Sequence, residues 1–169
     1  MFDQFKKWIE VNDVNHNPWH NDAFLLRFCR GRKFDLDAVI AMFSNYMEYR
    51  KKNGLDTIVT DYTFTKKAEC FPHYPRGYCG VDLIGRPVYI ERSGKISPSK
   101  LWSIIEEDDM WRSFYQSYEV LNKLHYMACS LTAGKQIQHT FSILDLTGFS
   151  IGMMNKRIYA LLQAGSKIT

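Results

Sequence analysis

The apolar pattern of this chain changes period once, and that change limits the folds open to it. Up to about residue 67 apolar side chains recur at helical spacing; from about Tyr74 short strand-like stretches alternate with helical ones. "YPRGYCGVD" and "RPVYIERSG" read as the two arms of a hairpin. Asp82 and Gly85 supply its turn, Pro87 opens the second arm, and Val88-Tyr89-Ile90 has strand-favouring side chains. "SPSKLWSII" reads as a loop with one turn of helix. A long helix is predicted from "EEDDMWRSFYQSYEVLNKLHYMA", with Glu106 to Asp109 at the positive end of its dipole. Along it Trp111, Phe114, Tyr118, Leu121 and His125 form one stripe. "QHTFSILDLTG" is predicted as a buried strand ending in an Asp-Leu-Thr-Gly turn, and residues from Asn155 to Ala164 start another helix.

The first third supplies its own boundaries. Asn21-Asp22 starts a helix that puts Phe24, Leu25 and Phe28 on one face, and Gly31 stands where it ends. Asp35 caps the next, whose stripe is Leu36, Ile40, Phe43 and Met47, and Asn53-Gly54 closes it. Arg27, Arg30, Arg32 and Lys33 cluster beside the connection. The expected organisation is a helical subdomain over 1–67 and an α/β part with a mixed sheet over 68–169. A helix leaving a strand normally crosses over to a parallel neighbour. Here the sequence stops at Thr169, so the expectation is an incomplete α/β domain, or one completed by another chain.

Composition narrows the function classes. At 46% hydrophobic residues the chain can bury a core, and its +4 net charge divides evenly, +2 on each side of residue 67. No segment is a basic tail, which disfavours nucleic acid, while a mild positive excess suits brief contact with an anionic membrane. No stretch reaches the roughly 18 uninterrupted apolar residues of a membrane span, so any membrane contact is expected to be peripheral. Cys29, Cys70, Cys79 and Cys129 have no CxxC spacing, and Asp3 and Glu10 interrupt the N-terminus where a signal peptide is apolar. Both point to the reducing cytoplasm.

Catalytic and metal signals are weak. His16 and His20 are four apart, but Pro18 lies between them and no third ligand is near, so they read as surface residues. His125 reads as a satisfied core histidine. Asp145 ends a strand beside Thr147 and Gly148, where a turn role outweighs a catalytic one without a nucleophile or phosphate loop nearby. No G-x-S-x-G, Walker loop, H-E-x-x-H or G-x-G-x-x-G occurs, and "TAGK" lacks the rest of a phosphate loop. We expect neither an enzyme nor a metal or organic cofactor.

"LLRFCRGRKFD", "GVDLIGRPVYIERSGK", "ACSLTAGK" and "SILDLTGFSI" resemble, in order, the signature blocks of the CRAL-TRIO lipid-binding family, in its phosphatidylinositol/phosphatidylcholine transfer branch. The resemblance runs from about residue 20 to 169. It implies a helical lobe beside an α/β/α sandwich, here incomplete, whose sheet floors an apolar pocket holding one phospholipid behind a mobile helix. Carried over by position, the family's choline-headgroup pocket falls on Tyr78, Tyr89, Tyr118, Thr140 and Ser142, and an inositol-phosphate contact falls on Arg32. The family's remaining inositol-recognition residues lie past Thr169.

Those residue types suit that chemistry. A quaternary ammonium forms no ordinary hydrogen bonds and is held by aromatic faces at about 0.5–2 kcal/mol each. Thr140 and Ser142, two apart on a strand, place two hydroxyls on one side for a phosphate. A guanidinium at Arg32 can grip phosphate in bidentate fashion. Read without the resemblance, the same tyrosines are ordinary amphipathic core residues and Arg32 a solvated one. The expected function is phospholipid binding and transfer by a peripheral cytoplasmic protein. The alternatives are a regulatory adaptor of the same fold with an unknown protein partner, and a truncated inactive chain.

Overall fold

Single polar side chains set the helix boundaries at the start of the chain. In the computed structural model, which describes residues 1–14, 17–150 and 159, α1 (Phe2–Val11) precedes α2 (Asp22–Gly31) and α3 (Leu36–Asn53), and two single turns follow, α4 (Ile58–Asp61) and α5 (Lys67–Cys70). The Asn21 side chain accepts from the Phe24 amide at 3.0 Å and that of Asp35 from the Ala38 amide at 3.0 Å. Gly54 then ends α3 in the left-handed region at φ 61°. All three boundary residues are those predicted from sequence.

The chain divides into two compact units, Met1–Thr63 with Tyr115–Gln138, and Phe64–Phe114 with His139–Thr169. In the first, α1 to α3 enclose Phe5, Ile9, Phe24, Leu25, Phe28, Cys29, Val39 and Phe43. Phe43 meets Phe5 and Phe28 edge-on, with ring centroids 5.3 and 5.1 Å apart. The expected α3 stripe is rotated: Val39, Phe43 and Arg50 are the buried residues, while Leu36, Ile40 and Met47 flank them. Arg50 is buried on that same side, where Glu119 and Asp56 pair with its charge.

Arg50 is 1% exposed and grips Glu119, itself 5% exposed, through both terminal nitrogens at 2.6 and 2.9 Å. Nε donates to Asp56 at 2.9 Å and Nη1 to the Tyr46 hydroxyl at 2.8 Å. Burial alone would lower the guanidinium's affinity for its proton. The hydrogen bond and charge of Glu119 outweigh it, so the pKa is raised and the arginine stays charged. Tyr46 is pushed upward mainly by its own burial.

His20 corrects an expectation. It is buried rather than on the surface, stacked on Phe24 with ring centroids 4.4 Å apart, and its Nδ1 accepts from the Asn17 amide at 3.2 Å. His16 and the stretch from Asn155 to Ala164, apart from helical Tyr159, lie outside the described residues.

In the second unit β1 (Arg76–Val81) and β2 (Pro87–Glu91) form the predicted antiparallel hairpin. β3 (Phe141–Leu144) joins β2 in parallel, giving a mixed sheet of order β1-β2-β3. A parallel partner needs a crossover. It is made by α6 (Pro98–Ile104), α7 (Glu107–Val120), a π turn over Leu121–His125 and α8 (Tyr126–Ala133). α6 is longer than the single turn expected. Cys70, Tyr74, Leu101, Ile105 and Met110 form this unit's buried cluster.

β3 was expected to be buried, yet all four of its residues are exposed, because it is the outer strand of the described sheet. The α7 stripe is likewise softened: of Trp111, Phe114, Tyr118, Leu121 and His125 only Leu121 is buried, and the wider π turn interrupts the α-helical repeat from there. Among the described residues no helix is long and apolar enough to cross a membrane.

Candidate functional site

Strand alternation places three of the proposed headgroup residues in one row. Tyr78 on β1 lies opposite Tyr89 on β2, and Tyr89 lies opposite Ser142 on β3, so the three share a face of the sheet. The two tyrosine rings are 5.1 Å apart and tilted by 54°. Thr140 is two residues before Ser142 and half-buried, Ser142 itself being exposed. The other face is apolar, with Val88 opposite Phe141 and Ile90 opposite Ile143.

The neighbouring row was missed from sequence. Arg76 and Glu91, each two residues from a tyrosine of the first row, lie opposite one another on the same face. The Tyr89 hydroxyl donates to Glu91 Oε2 at 2.8 Å and the Ser93 hydroxyl to Oε1 at 2.8 Å. The Arg76 guanidinium lies 3.5 Å from the Phe114 ring centroid and 4.9 Å from that of Tyr74, and donates to the Ser113 hydroxyl at 3.2 Å. The signal was present: stepping by two from Tyr78 and from Tyr89 reaches both residues.

Burial raises the Tyr89 phenol's pKa, and the adjacent Glu91 carboxylate adds to the rise; Tyr74 is raised in the same way. Both stay neutral at physiological pH. This face therefore offers two close aromatic rings, a carboxylate, a guanidinium and a free-standing strand hydroxyl. No nucleophile with a partnering base is among them, and no cluster of potential metal ligands occurs among the described residues.

The remaining two positions lie in the first unit. Tyr118 is half-buried on α7. Arg32 is exposed at the C-terminal cap of α2, where Nη1 donates to the carbonyl of Gly31 at 3.1 Å. A cavity in that unit, bounded by Trp19, Phe24, Arg27, Asn122 and Tyr126, measures about 40 Å³, room for water and not for an acyl chain.

Asp145 behaves as a turn residue. Its carboxylate accepts from the Thr147 amide at 2.9 Å and from Arg92 Nε at 3.2 Å. Hydrogen bonding from Thr147, then from Arg92, lowers its pKa to about 2.

Comparison with known proteins gives the chain its relatives. The family model for the CRAL/TRIO N-terminal domain matches residues 1–45. Phosphatidylinositol/phosphatidylcholine transfer protein SFH9 of Arabidopsis thaliana is 37% identical over 160 residues, 95% of this chain and 27% of its own length. The Sec14 cytosolic factor of Schizosaccharomyces pombe is 32% identical over 161 residues, 95% of this chain and 56% of its own. The chain belongs to the CRAL/TRIO family. The SEC14 cytosolic factor of Kluyveromyces lactis, 38% identical over 148 residues, covers 88% of this CRAL/TRIO chain and 48% of the relative. This CRAL/TRIO chain thus spans between about a quarter and about half of the length of these curated relatives.

Proposed function

We propose that the chain binds a phospholipid of the phosphatidylcholine/phosphatidylinositol class and carries it between membranes, without chemistry on its ligand. The observation that supports this best is the row Tyr78–Tyr89–Ser142 beside the pair Arg76–Glu91. A choline headgroup carries one cation that cannot hydrogen-bond and one phosphate that must. The tyrosine faces and the Glu91 carboxylate suit the first; the Ser142 and Thr140 hydroxyls suit the second. By family position Tyr118 and Arg32, both in the first unit, are further candidates for lipid contact in this reading, Arg32 for the phosphate of an inositol lipid.

Burial of acyl methylenes contributes about 0.8 kcal/mol each, and that gain must nearly match what the bilayer offers, or exchange stalls. The protein then acts at the cytoplasmic face of membranes through transient peripheral contact. The names of its relatives, transfer proteins and cytosolic factors, favour the same reading. The test is transfer of labelled phosphatidylcholine between vesicles by the full-length protein. Tyr78→Ala with Tyr89→Ala should slow it by about tenfold or more, since each lost ring contact is worth up to about 2 kcal/mol. An unchanged rate, or no transfer by the parent protein, would overturn the proposal.

A further inference from the structure

The turn between β1 and β2 carries two apolar side chains where turns are ordinarily polar. Leu83 is 106% exposed and Ile84 49%, and Val81, at the end of the first arm, adds a third apolar side chain at 57%. Such residues do not adjoin the sheet's core, and nothing in the turn needs them. The turn itself is held rigidly. The Asp82 amide donates to the Arg86 carbonyl at 2.9 Å and that of Gly85 to the Asp82 carbonyl at 3.0 Å. Asp82 Oδ1 accepts from the amides of Ile84 at 3.0 Å and Arg86 at 2.8 Å, while Oδ2 takes Arg86 Nε at 2.7 Å. Gly85, at φ 90°, makes the reversal possible.

We propose that this hairpin tip is a membrane-inserting wedge that dips Leu83 and Ile84 into the boundary between headgroups and acyl chains. Three observations favour a bilayer over a protein partner. Three side chains fall far short of the ~800 Å² per partner of a stable protein interface, whereas a bilayer needs no matching patch. The one carboxylate in the turn, Asp82, is paired with the Arg86 guanidinium at 2.7 Å, so no uncompensated negative charge at the tip opposes an anionic surface. The clasp fixes the tip before it meets the membrane, so little conformational freedom is lost on insertion. The wedge takes its purpose from the lipid-transfer reading and its geometry from the turn alone.

The test is flotation of the full-length protein with vesicles of phosphatidylcholine and phosphatidylserine, beside mass-spectrometric measurement of its lipid cargo. Leu83→Asp with Ile84→Asp should lower the vesicle partition by about tenfold or more and leave the cargo unchanged. Both side chains are exposed, so the fold does not depend on them. As a second readout, a tryptophan at the tip (Leu83→Trp) should be quenched by brominated phosphatidylcholine beyond the parent's own tryptophans. Unchanged flotation, or an unquenched tip, would overturn the wedge and leave the transfer reading untouched. A double variant that loses self-association in light scattering but still floats would also overturn it, in favour of a second copy as the occupant. Tip-dependent flotation of a protein that carries no lipid would uphold the wedge and sink the transfer reading.

Discussion

Two residues beside the sheet show how tightly local chemistry is set. A Cβ on Gly94 would collide with the Thr147 carbonyl oxygen and lie 2.7 Å from the Leu146 carbonyl carbon, and the Gly94 amide donates to the Asp145 backbone carbonyl at 3.0 Å. Gly94→Ala should therefore cost about 1–3 kcal/mol, read from urea denaturation. Asp145 makes the pH prediction. Its carboxyl titrates near 2 when folded, below the ~3.9 of an unfolded aspartate. The stabilisation it contributes is fully present above about pH 4 and fades as pH falls towards 2. Carboxyl NMR should show that midpoint and should show it return towards the ordinary value in Arg92→Gln with Thr147→Ala. His20 marks the limit of residue-level reading: partners distant in sequence, such as the Tyr46 hydroxyl 3.4 Å from Nε2 and 26 residues away, help make it a core residue beside the ring of Phe24.

Elements were legible wherever the signal was local. Asn21, Asp35 and Gly54 satisfy orphan amides and carbonyls at their own helix ends, so a short window of sequence suffices. The hairpin was legible because Asp82, Gly85 and Pro87 act within one turn. The exposure of β3 was not, since "FSIL" reads the same whether or not a neighbour covers it. Nor was the burial of Arg50 on α3, whose partner Glu119 lies 69 residues away in sequence. That buried pair ties α3 to α7. Glu119→Ala would leave the Arg50 charge short of its main partner, at a cost of about 3 kcal/mol or more in thermal or urea unfolding. A milder loss would mean that Asp56 and Tyr46 suffice. At the candidate site the tyrosines came from resemblance, but the Arg76–Glu91 row beside them was within reach of the strand period alone.

For the whole molecule, the order of strands and helices specified a mixed α/β sheet, and the sheet's register brought Tyr78, Tyr89 and Ser142 into line. Position in the chain could not do this, because Tyr89 and Ser142 meet only through a crossover of some fifty residues. Lipid transfer, as proposed, requires that row to receive a phospholipid headgroup. Its most direct test is a native mass spectrum of the full-length protein isolated from its own cells, taken for the parent and for Tyr78→Ala with Tyr89→Ala. The parent should carry a phospholipid-sized adduct, with phosphatidylcholine depleted in a variant that keeps the parent's circular dichroism. A folded parent without lipid, or a variant with an undiminished load, would contradict it.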